Sequence, residues 1–414
     1  MAARSWALAL AVAAALPTAP AHGQQKRFVP SLVVSECYDD NVFSTSAFPE
    51  TDFITRIIPS AEASYRTPAF SALGRYSLEA DIYREHPSVN TVPAGQDVVA
   101  ELGYGPSRRL LLSARGGYTE TRSASGLATV IGLDLGQVNA WRVAGGGSLL
   151  WRVSKRTRAT FTGDWDRDRL VGAEWGSTRT AGATLAHRPS PRLELGLGYQ
   201  LRRFDFETQP GLTSHVVSAS VTRDLGRKSQ LTLSGGPRFD DDGIDGEGAF
   251  WLQTRPGRAD VTFGASRVGS RVLGFPGKWL PGAATTESVA LELGFSPSAR
   301  MRFALTPGYY HTRLDREARQ VTVRRLLFEG ALRLRRWLAL LTSYEWSLQQ
   351  GDLSAEPGDV RHRIFMVRFA SFWEDRSGRR PPVIRKPGTA TPEGEERDGV
   401  TVKGAPAEEE GVER

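Results

Sequence analysis

The 414-residue sequence contains a single cysteine, Cys37, so no intramolecular disulfide can hold the fold together. Cysteine and histidine do not cluster as they do in zinc sites, and no glycine-rich phosphate loop opens a helix. The sequence therefore predicts no metal and no cofactor. We expect Cys37 to be an ordinary wall residue of the first strand.

Long hydrophobic runs are also missing beyond the N-terminus. Arg4, the apolar run from Trp6 to Leu16 and the small residues Ala19-Pro20-Ala21 have the order of a secretory signal peptide, predicted over residues 1–23. An N-terminal anchor helix is the alternative, but the run is shorter than the roughly 20 residues that span a bilayer. Charged residues interrupt every later apolar segment, which excludes membrane insertion by helices.

The charge balance is basic, with 53 Lys and Arg against 46 Asp and Glu. The arginines are spread singly along the chain, whereas nucleic-acid binding needs a concentrated patch, so no nucleic-acid partner is predicted. Asp240-Asp241-Asp242 with Asp245 and Glu247 could hold Ca²⁺ through carboxylate oxygens, but a solvated acidic loop is the simpler interpretation. No enzyme is predicted, because the histidines of the mature chain are scattered at His86, His187, His215, His311 and His362.

Alternation of apolar and polar residues is the dominant pattern. Leu193, Leu195 and Leu197 alternate with Glu194 and Gly196, which places the leucines on one face of a strand. Eighteen such segments are predicted, at 28–41, 53–66, 70–85, 96–105, 109–122, 138–153, 157–168, 176–188, 192–206, 212–224, 229–240, 246–255, 258–270, 284–296, 300–313, 320–334, 337–349 and 360–373.

The links between these segments alternate in length. Short links such as 226–228 follow longer ones such as 124–137, 240–245 and 272–283, and the link at 208–211 fits least well. Tight turns at one rim and loops at the other are typical of an up-and-down antiparallel barrel. We therefore predict an all-β transmembrane barrel of about 18 strands, in the range 16–18, over residues 24–373.

The two faces of the predicted strands differ in chemistry. Aromatic residues near strand ends share the apolar face, which we expect to contact lipid: Tyr104, Tyr118, Trp141, Trp151, Trp165, Tyr199, Tyr344 and Trp346. Ionisable residues share the other face, predicted to line a water-filled lumen: Arg75, Glu79, Asp81, Arg115, Arg142, Arg152, Asp164, Asp166, Glu194, Arg202, Glu292, Arg302, Arg333 and Arg368. Such groups cannot be buried dry, and the arginine excess mildly favours anions.

The last predicted strand carries Phe365, Val367, Phe369 and Trp373 on one face, like the aromatic closing strand of outer-membrane barrels. Residues 374–414 are rich in Pro and Glu, so we predict a disordered tail. An even number of strands puts both termini at the tight-turn rim, and hence the tail in the periplasm.

Two motifs at the start of the predicted barrel resemble those of a known family. Tyr38-Asp39-Asp40-Asn41-Val42-Phe43, followed by Asp52-Phe53-Ile54-Thr55-Arg56-Ile57-Ile58-Pro59, resembles the β-barrel porin 2 family of outer-membrane proteins. Members of that family accompany exopolysaccharide export systems. The resemblance implies a pore that passes sugar polymer or smaller polar solutes, with polysaccharide and periplasmic export components as partners.

The sequence thus predicts a bacterial outer-membrane pore embedded in lipid. One alternative is a structural barrel with a plugged lumen, in which the tail docks a periplasmic partner. A barrel enzyme is the third possibility, and it would need one of the five histidines.

Overall fold

The computed structural model describes residues 25–123, 137–241, 243–274, 281–316, 319–352 and 358–372. It forms eighteen strands: β1 Gln25–Asp39, β2 Asp52–Arg66, β3 Phe70–Tyr83, β4 Thr91–Ser107, β5 Leu110–Ser123, β6 Gln137–Arg152, β7 Thr157–Leu170, β8 Trp175–Ser190, β9 Leu193–Phe206, β10 Leu212–Asp224, β11 Ser229–Asp240, β12 Gly243–Thr254, β13 Ala259–Val272, β14 Gly282–Ser298, β15 Met301–Leu314, β16 Gln320–Arg333, β17 Leu338–Gly351 and β18 Val360–Phe372.

Every strand pairs antiparallel with the next one in the chain, and β1 pairs with β18 from Ser31 opposite Phe372 to Asp39 opposite Ile364. The ring is therefore closed, and none of its strands is an edge strand. The predicted all-β, up-and-down barrel of about 18 strands is confirmed. Three predicted features lie outside the described residues: the signal peptide 1–23, Trp373 of the closing strand, and the tail 374–414.

Connections of two kinds define the two ends of the barrel. The end that we name the turn rim has the short connections 67–69, 108–109, 153–156, 191–192, 225–228, 255–258, 299–300 and 334–337. The opposite end, the loop rim, has the connections 40–51, 84–90, 124–136, 171–174, 207–211, 241–242, 273–281, 315–319 and 352–359. The start of β1 and the end of β18 both lie at the turn rim.

One predicted long link is wrong. Residues 240–245 were expected to form a loop, but the β11–β12 ladder continues through Phe239 opposite Ile244 and Asp240 opposite Gly243. Gly243 has a φ of +139°, a conformation that glycine adopts without a steric cost, so the chain can reverse over only two residues. Acidic composition suggested a loop where the backbone makes a tight hairpin.

A single turn of 3-10 helix, Pro87–Val89, lies between β3 and β4. Within the described ranges, no helix has the length and apolar character needed to cross a membrane.

Candidate functional site: the inner face of the barrel

The strand register assigns every strand residue to one of two faces, because residues directly opposite each other in neighbouring strands point the same way. Ser35 lies opposite both Arg56 and Arg368, and Arg56 lies opposite Asp81. The face that carries them is the inner one, since side chains of non-neighbouring strands meet on it: Arg202 of β9 lies 3.1 Å from Glu247 of β12.

The register places all fourteen ionisable residues singled out from the sequence on this inner face. They are Arg75, Glu79, Asp81, Arg115, Arg142, Arg152, Asp164, Asp166, Glu194, Arg202, Glu292, Arg302, Arg333 and Arg368. That they line a path for solutes stays a prediction.

The outer face carries the eight aromatic residues expected there: Tyr104, Tyr118, Trp141, Trp151, Trp165, Tyr199, Tyr344 and Trp346. Large apolar side chains on this face are exposed, and Leu197 has 61% of its surface accessible and Tyr199 45%. Phe365, Val367 and Phe369 of β18 lie on the same face. A contiguous apolar exterior of this kind needs a partner other than water.

The inner face is held by ion pairs, beginning with a cluster on β2 and β3. Arg56 Nε lies 2.5 Å from Glu79 and 2.8 Å from Asp81, and its Nη2 donates a second hydrogen bond to Asp81 at 2.9 Å. The Arg56 fork thus binds Asp81 in a bidentate manner, an arrangement that fixes both side chains.

A second group of pairs lies on β5 to β9. Arg115 donates to Asp164 at 2.8 Å, and Arg142 donates to Asp168 at 2.8 Å. Glu194 accepts from two arginines, Arg158 and Arg188, both at 2.6 Å. The chain pairs its lumen charges with one another, as buried or half-buried charges require.

Several other predicted residues have weaker contacts. Arg75 lies 3.7 Å from Asp97, and Arg302 lies 3.4 Å from Glu292. Arg152, near the turn rim, donates to the Arg108 carbonyl at 3.1 Å, and Arg333 and Arg368 are half-buried. Because carboxylates accompany most of its arginines, the inner face has no clear excess of either sign. The anion preference expected from composition therefore lacks support here.

One hairpin leaves the wall and enters the lumen. The β12–β13 ladder stops at Gly248 opposite Arg267, whereas β13 and β14 stay paired as far as Val272 opposite Gly282. Beyond Arg267 the hairpin reaches inner-face residues of distant strands. Arg271 forms ion pairs with Asp166 and Asp168 of β7, and Arg202 of β9 donates to the Gly269 carbonyl at 2.9 Å.

An apolar cluster accompanies this hairpin at the loop rim. Leu170 of β7 and Val272 of β13 are fully buried in it. The cluster draws on six strands and two loops: Ala140, Leu170, Ala173, Val272, Leu273, Ala284, Leu314, Val321 and Val323. It narrows the lumen at the loop rim, and we name it the apolar constriction.

Sequence reasoning missed both Arg271 and the constriction. Arg271 continues the alternation of Val261, Phe263 and Ala265, which are outer-face residues, so the pattern alone would point it at lipid. The sequence did offer one signal: Arg271 is a charge at the end of an otherwise apolar face. Because an arginine is energetically costly on a lipid-facing surface, this charge indicates that the end of β13 does not face lipid.

A second group of ionisable side chains lies at the loop rim near β1. Asp52 Oδ2 lies 2.8 Å from His86 Nδ1, and Glu50 lies 2.6 Å from His86 Nε2. The hydrogen bond with Asp52 raises the pKa of His86 above the ordinary imidazole value. His362 contacts Asp39 at 2.6 Å nearby, and Cys37, in β1 as expected, is buried among apolar neighbours.

The other three histidines have neutral partners: His187 contacts Thr157, His215 contacts Tyr199, and His311 contacts Thr322.

The acidic segment considered as a Ca²⁺ site instead contacts arginines. Arg238 lies 3.1 Å from Asp240 and 3.5 Å from Glu247, and Arg267 donates to Asp245 at 2.8 Å. In the described part of the chain, no three or more His, Cys, Asp or Glu side chains are grouped as a metal site would need.

These features define a closed eighteen-stranded barrel with an apolar exterior and a charged, ion-paired interior. No protein-family model matches the sequence, and no curated protein matches it. The fold is similar to OccAB4 of Acinetobacter baumannii, with a TM-score of 0.47, 11% identity, and coverage of 86% of this chain and 100% of that one.

It is also similar to OpdK of Pseudomonas aeruginosa, solved with vanillate, with a TM-score of 0.48, 10% identity, and coverage of 84% and 99%. The siderophore receptor PirA from Pseudomonas aeruginosa aligns with a TM-score of 0.44, 10% identity, and coverage of 84% and 81%. At these values the similarities assign no function to this chain.

Proposed function

We propose that this protein spans the bacterial outer membrane and passes polar solutes through its lumen. The observation that carries the proposal is the division of one closed ring into an apolar outer face and an ionisable inner face. In hydrocarbon only helices and closed barrels satisfy their backbone hydrogen bonds, and a barrel must turn its apolar residues outward. Leu197 and Tyr199, exposed on the outer face, then contact lipid instead of water.

The inner face supports a wet passage. Arg115 keeps 68% of its side chain accessible while it pairs with Asp164, and the pair of Arg302 and Glu292 is about half exposed on each side. Charged groups in this state need water, which a barrel of about 16 to 18 strands can hold. The apolar constriction at the loop rim makes the passage narrow and size-selective.

Conductance in a planar lipid bilayer tests this proposal. The purified full-length protein is expected to give discrete current steps, with the same protein denatured beforehand as the control. A bilayer that stays silent at protein levels sufficient for insertion, with insertion verified by protease protection, would contradict a pore.

The finer proposal is export of an exopolysaccharide. It is supported by the resemblance of the segments Tyr38–Phe43 and Asp52–Pro59 to the β-barrel porin 2 family. Deleting the gene in its native host should abolish secreted polymer while leaving small-sugar uptake unchanged. Normal polymer secretion with impaired uptake of small sugars would support the general pore and contradict export.

A structural barrel with a closed lumen is the second candidate, and the apolar constriction with its Arg271 ion pairs favours it. The two candidates differ in conductance: a structural barrel with a closed lumen stays silent in the wild type, whereas a narrow pore conducts in the wild type. Catalysis forms no part of this proposal, and we expect substitutions of the five histidines to leave conductance intact.

A further inference from the structure

The outer face of β15 to β18 carries four arginines. The register places Arg313, Arg324, Arg361 and Arg363 on this face, and all four are exposed in the half of the strands nearest the loop rim. These four strands are described over their whole length, and their outer face has no Asp or Glu. Toward the turn rim the same face has no charged side chain and includes Met301, Phe303, Leu332, Leu338, Leu340 and Phe369.

Three of these arginines form one compact group. Arg324 lies opposite Leu348, and Leu348 lies opposite Arg361, so these residues occupy one row across β16, β17 and β18. Neighbouring strands are about 4.8 Å apart, which puts the Cα atoms of Arg324 and Arg361 about 10 Å apart. Arg363 lies two residues beyond Arg361 on the same strand and face. We name Arg324, Arg361 and Arg363 the arginine patch; Arg313 interacts with a carboxylate of its own loop and is not part of it.

Carboxylates neutralise little of the arginine patch. Arg363 keeps 61% of its side chain accessible, and its Nε lies 3.8 Å from Asp40. Arg324 and Arg361 form no ion pair with any residue that the structure describes. Asp359, two residues before Arg361, accepts a hydrogen bond from a glutamine of β17 at 2.8 Å instead.

Two other outer-face arginines near the loop rim are paired within the chain. Arg203 donates to Asp205 at 2.8 Å, and Arg267 donates to Glu287 at 2.6 Å. The barrel thus supplies close carboxylates for arginines elsewhere on this face. The arginine patch differs from them and presents concentrated positive charge to its surroundings.

The depth of the arginine patch is that of lipid headgroups, if the barrel spans the membrane as proposed above. Trp346 lies opposite Arg363, and Tyr309 lies opposite Arg324. Aromatic residues on the outside of such barrels mark the boundary between hydrocarbon and headgroups. An arginine that faces lipid is costly at the bilayer midplane, but this cost nearly vanishes at the interface. Guanidinium groups at the interface bind phosphate through two parallel hydrogen bonds.

We propose that the arginine patch binds an anionic lipid whose headgroup carries an exposed phosphate, in the leaflet that surrounds the loop rim. The proposal rests on the proposed membrane span and goes beyond it, since a pore needs no lipid selectivity. Apolar side chains below the patch, such as Leu326 and Phe328, contact the acyl chains of the same lipid. Because these strands have no charged outer-face residue toward the turn rim, the site distinguishes the two leaflets.

Lipid binding to the full-length protein in neutral detergent, measured by native mass spectrometry, tests the proposal. The probes are phosphatidic acid, whose phosphate is exposed, and zwitterionic phosphatidylcholine. We expect phosphatidic acid to bind the wild type more tightly than phosphatidylcholine does. The triple variant Arg324→Gln, Arg361→Gln, Arg363→Gln should weaken phosphatidic acid binding roughly 100-fold, because each basic residue near a membrane surface contributes a factor of about five. Phosphatidylcholine binding should not change.

A matched control removes the same charge from exposed positions of the turn rim through Arg109→Gln, Arg156→Gln and Arg227→Gln. Equal weakening by the two triple variants would overturn the proposal, because binding would then follow net charge. Unchanged phosphatidic acid binding in the arginine-patch variant would overturn it as well. Inorganic phosphate is the probe for the other source of the same group: displacement of phosphatidic acid by an equal concentration of it would assign the patch to free anions and refute a lipid site.

A lysine variant, Arg324→Lys, Arg361→Lys, Arg363→Lys, keeps the test decisive if the glutamine variant does not fold. It retains the charge but loses the two parallel hydrogen bonds, so it should bind phosphatidic acid several-fold more weakly, and wild-type affinity would contradict recognition by guanidinium groups. Conductance of the same proteins separates this proposal from the pore. Loss of lipid selectivity with normal conductance refutes the lipid site alone, whereas a silent bilayer with lipid selectivity intact refutes the pore alone.

Discussion

Removing the Arg271 guanidinium should release the hairpin that narrows the lumen. Arg271 is almost fully buried between Asp166 and Asp168, and it is the long-range ion-pair contact of the hairpin end with β7. The substitution Arg271→Gln leaves both carboxylates without that partner, although Asp168 keeps Arg142 at 2.8 Å.

The magnitude follows from burial. Removing one partner of a buried ion pair lowers the stability of the contact by about 3–5 kcal/mol. We expect a loss at the lower end of this range, because Arg142 still neutralises Asp168. A loss of about 3 kcal/mol in hairpin docking changes the ratio of docked to released hairpin by roughly 100-fold. Current through the pore should therefore rise, with longer or larger openings.

Single-channel recording in a planar bilayer is the assay, with Arg302→Gln as the matched control. Both substitutions remove one positive charge from the inner face, but the Arg302 pair with Glu292 is half exposed at 3.4 Å, so its loss costs only about 0–1 kcal/mol. If Arg271→Gln and Arg302→Gln gave the same current as the wild type, in barrels that both fold, the reasoning would be refuted.

Two further predictions concern the exterior and the loop rim. In phospholipid vesicles, Leu197→Arg should lower the free energy of unfolding by about 2–4 kcal/mol, as measured by urea unfolding. The control Leu225→Arg, in a turn, should lower it by only about 0–1 kcal/mol. Equal small effects of the two substitutions would indicate that Leu197 faces water. The hydrogen bond with Asp52 raises the pKa of His86 in the folded protein. The contact of protonated His86 with its loop therefore stabilises the fold fully at pH values below the unfolded-state pKa of about 6.5. This stabilisation is lost as the pH rises through the folded-state pKa. Proteolytic cleavage within 40–51 should accordingly become faster in the wild type as the pH rises from about 6 to about 9. In His86→Gln the cleavage rate should be independent of pH. A wild-type rate that does not change with pH would contradict this role of His86.

Much of the barrel could be predicted from sequence, because a strand whose two faces meet different environments carries apolar and polar residues at alternate positions. Leu193, Leu195 and Leu197 on one face and Glu194 on the other suffice to orient β9. Tight turns with proline or glycine, such as Arg255-Pro256-Gly257-Arg258, mark the strand ends. Eighteen segments were predicted, and the part of the chain that the structure describes forms eighteen strands.

The apolar constriction could not be predicted in the same way, because it depends on a hairpin leaving its neighbour. The arginine at the end of the apolar face of β13 signals an unusual environment for Arg271, but it does not indicate that pairing with β12 stops at Arg267. Phe204 and Phe206 illustrate the same limit: they are buried on the inner face at the end of β9, where their pattern continues that of polar Gln200 and Arg202. Contacts across the lumen join residues far apart in sequence, and local periodicity carries no information about them.

An alternating probe scan along β9 tests the central claim most directly. Single cysteines replacing Glu194 to Leu201, in a Cys37→Ser background, carry a fluorophore in vesicle-embedded protein and are quenched from the lipid phase or from water. The account predicts that positions 195, 197, 199 and 201 respond to the lipid quencher and positions 194, 196, 198 and 200 to the aqueous one. Uniform quenching from water at all eight positions would contradict it.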